Sequence, residues 1–504
     1  MKIERTKNSI RNTAFGVLNR GINLLFPFVI RTMMIQKLGT EYLGLNSLFT
    51  SIIQVLNLTE LGVGSALVFN MYKPVAEDDH AALSGLLGLY RAVYRWIGLI
   101  ILAVGLGLMP LLPRLVDTTQ LEGTGINLYG LFLIYLINTV ISYCFFAYRK
   151  SLLMAHQRQD QISNIDSMVR LCMYVLQILV LVLWPNYYLY ILLMPLFTVV
   201  DNVWVAVTTS RQYGRILKTL GQSPVAVRSL FSQVKYIVGH KIGAVIIQSA
   251  DSIVISAFLN LAILTTYSNY FYVVSALVGI IHVGYNAILA GVGNSVITRS
   301  PAENYRLFRE LSLLVFYIVA FCSACLLALF QPFMILWMGP QYLFPMGTVV
   351  LFVVYFYTWQ VRIIGLNFKD AAGMWENDCL KPYVGVVVNL VLNVVLVRWL
   401  GVNGVLWATI LVMVCIYYPW ETWVLHRDLF REKPGPYVWQ SGCHLLLAGG
   451  CAAVTALAVG AIPLAGYPGL ILKTVTAVVI SGSILLAGTY RSPEFRSLWK
   501  RVKK

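Results

Sequence analysis

Long apolar runs separated by short polar connections dominate the chain, and their lengths predict its architecture. About 20 mostly apolar residues cross a hydrocarbon core of about 30 Å as a helix. We predict fourteen membrane-spanning helices, over residues 13–37, 44–70, 87–112, 125–148, 164–184, 187–210, 234–259, 262–291, 310–331, 343–366, 382–399, 402–424, 441–462 and 468–489. The predicted fold class is therefore an all-α polytopic membrane protein.

Composition supports this prediction. Of the 504 residues, 58% are hydrophobic and only 12% are charged, and the mean hydropathy is +0.73. These values exclude an ordinary soluble domain. Nearly all of the eight cysteines lie inside apolar runs, so we expect no disulfide framework. The basic N-terminal segment lacks a signal-peptide cleavage pattern.

The distribution of basic residues predicts the orientation of the helices. With the N-terminus inside, the inner segments hold 27 Lys and Arg residues and the outer loops hold 3. Cytoplasmic loops carry such an excess. We therefore expect both termini, and the connection over residues 211–236, to be cytoplasmic.

The chain also repeats itself. Arg20 and Lys241 lie 221 positions apart, and Lys150 and Lys369 lie 219 apart. Six spans per copy, with both copies starting inside, predict two parallel repeats. The predicted domains are an N-terminal lobe (1–212), a cytoplasmic linker (213–233), a C-terminal lobe (234–430), and a final helix pair with a basic cytoplasmic tail (431–504).

The first span carries two cations. Arg20 and Arg31 lie eleven residues apart on one helical face, with Asn23 between them near that face. A cation at membrane depth costs at least about 2.5 kcal/mol unless it faces a wet cavity or a partner. We predict that Arg20, Arg31 and Lys241 line a cavity. The alternative for the two arginines is snorkelling toward the membrane surfaces.

The second span has a polar face. Asn46, Thr50, Gln54 and Asn57 follow helical spacing, and Glu60 comes next. Such a face meets water or another helix. Gln54 and Asn57 are candidates for contact with a ligand, and interhelical packing is an equal alternative. Glu60 is a candidate for ion coupling.

Further polar residues lie inside the predicted spans. Asp251 could bind a coupling ion or serve as a fixed counter-charge. Tyr267 and Asn269 suit a sugar ring, and they also suit ordinary packing. Two more residues, Asp201 and Arg362, look like isolated intramembrane charges.

Two more groups of charges allow structural predictions. Asp166 and Arg170 have the spacing of a favourable pair within one helix. The segment 368–382 carries Lys369, Asp370 and Glu376 and ends with a proline that starts a helix. These three side chains could form the ion-pair latch of an inner gate, or the segment could be a capped turn.

These sequences resemble the polysaccharide-unit (Wzx-type) flippases of the multidrug/oligosaccharidyl-lipid/polysaccharide exporter superfamily. The resemblance covers nearly the whole chain. It rests on residues 38–49, 58–66, 250–256 with 267–270, and 369–373 through 381–382. Lys369 stands where the family often has arginine, and Glu376 with Asn377 stand where it often has two acids.

The resemblance implies a MATE-like fold of two six-helix lobes in a V around a cationic cavity. It also implies alternating access and no cofactor. The cargo would be an undecaprenyl-diphosphate-linked oligosaccharide, turned to the outer leaflet of the bacterial cytoplasmic membrane for capsule, exopolysaccharide or O-antigen-like synthesis. Membrane lipids, and the polymerase with its chain-length machinery, would be partners, and nucleic acid would not.

Three alternatives stay open at this point. A flippase for a peptidoglycan or teichoic acid precursor is a close variant. A MATE-type multidrug exporter favours acidic cavity residues, whereas both repeats here carry a cation at the matched position. A membrane glycan polymerase usually needs a large outer loop, and the longest predicted here, residues 113–124, is short. We find no phosphate-binding glycine loop and no paired, metal-spaced histidines, so we expect a transporter and not an enzyme.

Overall fold

The structure, a computed structural model, describes residues 5–60, 63–116, 118–121, 125–221 and 234–502. Within these ranges it leaves out the side chains of residues 5–20, 59–60, 63, 65–66, 118, 120, 234–238, 286–287, 290 and 501–502. The described elements are helices and turns, with no strand among them. By internal contacts the chain divides into unit 1, Met1–Thr265, and unit 2, Thr266–Lys504.

Unit 1 holds ten helices within the described residues, and an eleventh begins near its end. They are α1 (Arg5–Lys37), α2 (Thr40–Leu56), α3 (Val63–Ala76), α4 (His80–Leu108), α5 (Leu112–Leu115), α6 (Leu128–Cys144), α7 (Tyr148–Ala155), α8 (Gln159–Leu183), α9 (Tyr187–Lys218), α10 (Val234–Phe258) and α11 (Leu261–Thr298). Helix α1 packs along α8, α4 packs along α6, and α10 packs along α2.

Unit 2 is built around one long central helix. After most of α11 it contains α12 (Pro301–Trp337), α13 (Met346–Gln360), α14 (Ile363–Ala371), α15 (Lys381–Leu400), α16 (Val402–Val412), α17 (Tyr418–Val424), α18 (Gly435–Gly460), α19 (Gly466–Thr489) and α20 (Pro493–Val502). Two π-helical segments, Met413–Tyr417 and Leu425–Phe430, flank α17. Helix α12 contacts α13, α14, α18, α19 and α20, so the predicted final pair is anchored on α12.

Local sequence explains several helix starts. At α12, Ser300 and Glu303 form a reciprocal capping box, and Pro301 occupies the first turn. Helix α15 starts at Lys381 with Pro382 in its first turn, as predicted. The Asp79 carboxylate accepts hydrogen bonds from two backbone N–H groups at the start of α4.

The number of membrane spans agrees with the sequence count. Among the described residues, eleven helices are long and apolar enough to cross a membrane, and α6 with α7, bent by 48°, makes a twelfth. The other two predicted spans, 13–37 and 44–70, fall on α1 and on α2 through α3. Together these elements account for about fourteen membrane helices.

The second predicted span is not one continuous helix. Helix α2 ends at Leu56, a 3₁₀ turn occupies Asn57–Glu60, and α3 begins at Val63. Asparagine, threonine and glycine are poor helix formers, and they crowd this stretch of the sequence. At the start of the predicted linker, α9 has a kink at Tyr213 and continues to Lys218.

The order of helices repeats along the chain, as the duplication predicts. Leu261 starts α11 at 221 positions after Thr40 starts α2, and Pro301 starts α12 at 221 positions after His80 starts α4. The consecutive helices α6 and α7 correspond to α13 and α14. The repeat therefore extends to helix boundaries, although α11 is continuous where α2 and α3 are interrupted.

The start of the linker is packed tightly against α4. The Gly221 backbone N–H donates to the Ser84 carbonyl at 3.1 Å, and the Ser84 hydroxyl donates to the Thr219 carbonyl. The absence of a side chain at Gly88 lets the Gly221 backbone approach α4. The turn after α9 is thus fixed to α4.

Replacing Gly88 with alanine should destabilise unit 1, because its Cβ would lie 2.4 Å from the Gly221 Cα atom. Relief requires backbone movement, at a cost of about 1–3 kcal/mol. Gly107→Ala on the same helix is the matched control, since nothing lies within 4 Å of its added carbon. Both variants gain the helix propensity of alanine, so the difference between their thermal unfolding midpoints isolates the clash. Equal midpoints would contradict the close packing.

Candidate functional site

The predicted cavity cations fall on α1 and α10. Arg20 lies on α1, but its side chain is outside the described residues. Lys241 lies near the start of α10 and is exposed, as are Ala244 and Gln248 one and two turns further along. Beyond these residues α10 is buried or half-buried as far as Ala257, and Asp251 is only 2% exposed. The exposed polar residues of α10 are therefore confined to its first half, and Phe258 is exposed at its C-terminal end.

Helix α2, which packs against α10, also exposes part of its polar face. Thr50 and Gln54 are exposed, and Asn57 is half-buried. Asn46, on the same face, instead accepts a hydrogen bond from the Tyr135 hydroxyl. The predicted polar seam is thus divided: Asn46 joins helices together, and Thr50 and Gln54 are accessible.

The start of α2 is in close contact with the start of α11. A Cβ at Gly44 would lie 2.5 Å from the Leu261 carbonyl oxygen. The Thr265 hydroxyl donates to the Thr40 carbonyl at 2.5 Å. This end is sealed by backbone contacts, whereas Gln54 and Lys241 lie toward the opposite ends of their helices and are exposed.

The remaining residues of α1 make contacts inside unit 1. The Asn23 amide oxygen accepts a hydrogen bond from the Arg170 guanidinium at 3.0 Å, and the Tyr174 hydroxyl lies 3.5 Å away. Arg31 is half-buried. Asn23 thus contributes to the packing of α1 against α8.

The other predicted site residues are enclosed or undescribed. Tyr267 is 2% exposed and packs on the Phe271 and Phe352 rings at 5.9 and 5.4 Å. Asn269 is fully buried. The Glu60 side chain lies outside the described residues. The structure therefore places Tyr267 and Asn269 in a packed core, and their contact with a sugar stays a prediction.

Unit 1 contains an ion-pair cluster that the sequence did not predict. The Lys150 ammonium lies 3.0 Å from an Asp166 oxygen and 2.6 Å from an Asp201 oxygen. With Arg170 and Thr198 these side chains line a cavity of about 300 Å³. Two expectations are wrong here: Asp201 is not an isolated charge, and Asp166 pairs with Lys150 and not with Arg170.

Unit 2 contains a larger buried network around Lys369. Its five members, none more than 8% exposed, are Arg362, Lys369, Asp378, Lys381 and Glu421. Asp378 accepts from Lys369 at 2.8 Å and from Lys381 at 2.6 Å. Glu421 accepts from Lys381 at 2.7 Å and from Arg362 at 2.5 and 2.9 Å. Arg362 is therefore not an isolated charge either, and three cations share two carboxylates out of contact with water.

An aromatic ring completes this network. Tyr417 lies at the end of the first π-helical segment, with the Arg362 guanidinium 4.9 Å and the Lys381 ammonium 5.5 Å from its ring centre. Its ring occupies the space next to Gly385, where a Cβ would lie 2.2 Å from it. The ring and the two carboxylates together hold the three cations.

The segment proposed as an inner gate is only partly in this network. Lys369 is a member, but Asp370 is exposed and accepts a hydrogen bond from the Trp375 indole at 3.0 Å. Glu376 is exposed as well. The ion pair of Lys369 in this segment is with Asp378, and a latch that joins Lys369, Asp370 and Glu376 stays a prediction.

The clusters of the two units occupy corresponding positions in the repeat. Lys150 on α7 matches Lys369 on α14, and Asp201 on α9 lies 220 positions before Glu421 on α17. The clusters could have been predicted from the sequence if the repeat had been extended to Asp201 and Glu421.

Among the described residues, no three His, Cys, Asp or Glu side chains stand together to hold a metal ion.

Removing the cation of the first cluster should destabilise unit 1. Lys150→Met leaves Asp166 and Asp201 facing each other without a counter-charge, and breaking such a partly buried pair costs more than an exposed one. We expect a lower unfolding midpoint for this variant. Lys73→Met is the control, because Lys73 and Glu77 form an exposed pair at 3.8 Å. Similar midpoints for the two variants would contradict a stabilising role for Lys150.

Comparison with known proteins gives the fold. No family model and no curated protein matches the chain. Among solved structures, the lipid II flippase MurJ in an inward closed conformation aligns with 96% of this chain and 100% of its own, with a TM-score of 0.67 and 12% identity. An inward-facing MATE multidrug resistance transporter of the MOP superfamily aligns with 80% of this chain and 94% of its own, with a TM-score of 0.61 and 12% identity. The chain shares the fold of these two structures. The MATE multidrug transporter DinF-BH agrees, with a TM-score of 0.51 and 18% identity over 85% of this chain and 98% of its own.

The all-helical, MATE-like fold predicted from the sequence is confirmed. All of these solved structures are named as transporters or flippases. The protein is therefore a multi-pass membrane protein that shares their fold.

Proposed function

We propose that the protein flips undecaprenyl-diphosphate-linked oligosaccharide units from the inner to the outer leaflet of the bacterial cytoplasmic membrane. The observation that carries this proposal is the extent of the likeness to MurJ, named as a lipid II flippase, which spans 96% of this chain. The MATE structures align with 80% and 85% of it. A lipid-moving transporter therefore accounts for more of the chain than a drug exporter does.

The exposed polar residues of unit 1 support a charged cargo. Lys241 and Gln248 on α10, and Thr50 and Gln54 on α2, lie on neighbouring helices within predicted membrane spans. Hydrocarbon cannot solvate an ammonium or an amide, so such residues face water, a partner or cargo. We assign them to a water-filled cavity.

The exposed polar residues of α2 and α10 suit a cargo that carries a diphosphate. Lys241 is a fixed cation, and charge-assisted contacts with phosphate oxygens are among the strong hydrogen bonds of proteins. Arg20, its repeat mate, is proposed as the second cation, and Arg31 as a third near the outer end. The amides of Gln54 and Asn57 would meet sugar hydroxyls.

Asp251 is proposed for ion coupling, and its deep burial is compatible with either a bound proton or a counter-charge.

A multidrug exporter is the second candidate, favoured by the MATE likeness. Export of cationic drugs would want exposed acids on the same faces. Among the described residues of α2 and α10, no exposed position carries an acid, and the exposed positions are Thr50, Gln54, Lys241, Ala244, Gln248 and Phe258. This charge pattern favours the anionic cargo.

Deletion of the gene tests the proposed function in cells. We expect surface polysaccharide to disappear while the lipid-linked unit is still made and accumulates, because only its passage across the membrane is lost. Absence of the lipid-linked unit would contradict the proposal and favour a synthetic enzyme. Drug sensitivity with normal polysaccharide would favour the exporter. The polymerase and chain-length machinery are the proposed downstream partners.

Topology is tested separately. We propose that both termini and the connection over residues 211–235 face the cytoplasm. In a variant whose eight native cysteines are replaced with serine, single cysteines at Lys218 and Arg491 should react with a membrane-impermeant reagent only in inverted vesicles. Labelling in intact cells would contradict the orientation.

A further inference from the structure

Unit 2 has a second cationic region, distant in sequence from the proposed cargo residues. A cavity of about 760 Å³ lies between the start of α12 and the connection from the second π-helical segment to α18. Arg309, Arg427, Arg431 and Lys433 line it, together with Tyr305 and one acid, Glu432. Arg309 and Arg427 are each paired with a further acid, Glu494 and Asp428, so the four cations exceed the three neighbouring acids by one and the site favours an anion.

The chain builds the cavity with an unusual turn. The π-helical segment Leu425–Phe430 ends at Arg431, whose φ of 57° is left-handed. The Glu432 N–H then donates to the His426 carbonyl at 3.1 Å. This sharp turn keeps Arg427, Arg431 and Lys433 close together. Arg431 and Lys433 are exposed, and neither forms an ion pair within the described residues.

The other two arginines are held in place. Arg309 lies 2.6 Å from the Glu494 carboxylate of α20, which is buried against α12. Arg427 lies 2.8 Å from Asp428 and 4.1 Å from the centre of the Trp423 ring. Two fixed and two unpaired cations therefore border the same space.

Exposed tryptophans indicate the depth of this cavity. Trp423 on α17 is 51% exposed and Trp439 on α18 is 77% exposed. Tryptophan concentrates at the membrane–water interface, at the level of the lipid headgroups. The basic turn lies between these two residues in the sequence, on the predicted cytoplasmic side.

We propose that this cavity binds the headgroup of an anionic phospholipid of the cytoplasmic leaflet. Its charge matches a phosphate diester, and its position between interfacial tryptophans matches a lipid better than a free anion. Basic pockets beside membrane helices on the cytoplasmic side bind such headgroups in other proteins. Glu494 has a positioning role, because it fixes Arg309 and joins α20 to the site.

Binding of phosphatidylglycerol to the full-length protein tests the proposal. Delipidated protein in neutral detergent is titrated with phosphatidylglycerol or phosphatidylcholine, and bound lipid is counted by native mass spectrometry. We expect one tightly bound phosphatidylglycerol and at least tenfold weaker binding by Arg431→Gln/Lys433→Gln. The matched control, Arg211→Gln/Arg215→Gln, removes two exposed cations from α9 and should bind as the wild type does.

Three results would overturn the proposal. If the Arg431→Gln/Lys433→Gln protein bound phosphatidylglycerol with wild-type affinity, the lipid would not bind in this cavity. If the Arg211→Gln/Arg215→Gln control lost lipid binding to the same extent, the effect would depend only on the total charge of the protein. Displacement of the lipid by an equal concentration of inorganic phosphate would identify a free-anion site. Exposed side chains are changed in both variants, so both should fold, and their unfolding midpoints in detergent verify this.

Discussion

Asp378→Ala should sharply reduce the amount of folded protein, because it leaves three buried cations with one carboxylate. Lys369 would lose its only ion-pair partner among the described residues, and Lys381 would keep only Glu421. Removing one member of a buried pair costs about 3–5 kcal/mol. That is a large fraction of the roughly 5–15 kcal/mol that stabilises a typical protein. Fluorescence-detected size-exclusion chromatography measures the folded yield.

Two further variants separate the ion network from the local effects of mutation. Asp428→Ala removes an acid from a more exposed pair in the same unit, and we expect a small change. Adding Lys369→Met to Asp378→Ala removes both charges of one pair and should restore much of the yield, since apolar replacement of a buried pair is often neutral. A stable Asp378→Ala protein, or failure of the double variant to recover, would contradict this account of the network.

Lys241→Ala should lower the rate of flipping about tenfold or more at subsaturating substrate. The proposed contact joins an ammonium to a diphosphate, and hydrogen bonds to charged groups contribute about 1.5–3 kcal/mol. Each 1.4 kcal/mol corresponds to a factor of ten. Lys241→Arg keeps the charge and should retain most of the rate. Arg20→Ala should resemble Lys241→Ala, and Arg20→Lys should be milder.

The control for this prediction is Lys37→Ala. Lys37 is an exposed lysine at the far end of α1, so its loss changes the total charge by the same amount. Flipping by Lys37→Ala should match the wild type. Normal flipping by both Lys241→Ala and Arg20→Ala at wild-type protein levels would contradict the diphosphate contact, and would assign the two residues to packing or topology.

Membrane helices are the part of this fold that the sequence predicts best. A bilayer admits few backbone solutions, so length and apolar content largely determine each span. Pro382 correctly predicted the start of α15. The interruption after Leu56 was missed, because polar residues at helical spacing suggested one continuous amphipathic span. The low helix propensity of Asn57, Thr59 and Gly62 is the better indicator.

Charge partners were harder to predict, because they depend on which helices meet. An Asp166–Arg170 pair within one helix contributes only about 0.2–0.5 kcal/mol. Lys150 approaches Asp166 from α7 in a partly buried site, where a charge pair interacts more strongly than in water. Arg362 and Glu421 lie 59 positions apart in the sequence, and only tertiary packing brings them together.

The residue types of the predicted cavity residues did not indicate which of them are exposed. Gln54 and Lys241 are accessible, whereas Tyr267, Asn269 and Asp251 are enclosed. Tyrosine suits both a sugar-binding wall and an aromatic core, and Tyr267 packs on two phenylalanine rings. Helical periodicity shows which residues share one face of a helix. Which other helices pack against that face is determined by the tertiary fold.

Flipping by the purified protein in vesicles tests the central claim most directly. Fluorescent undecaprenyl-diphosphate oligosaccharide is placed in proteoliposomes, and its accessibility to a membrane-impermeant reagent is followed over time. We expect faster exchange between leaflets in vesicles that contain the protein, loss of this activity in Lys241→Ala, and no transport of a cationic drug. Drug transport without movement of the lipid-linked oligosaccharide would contradict the account.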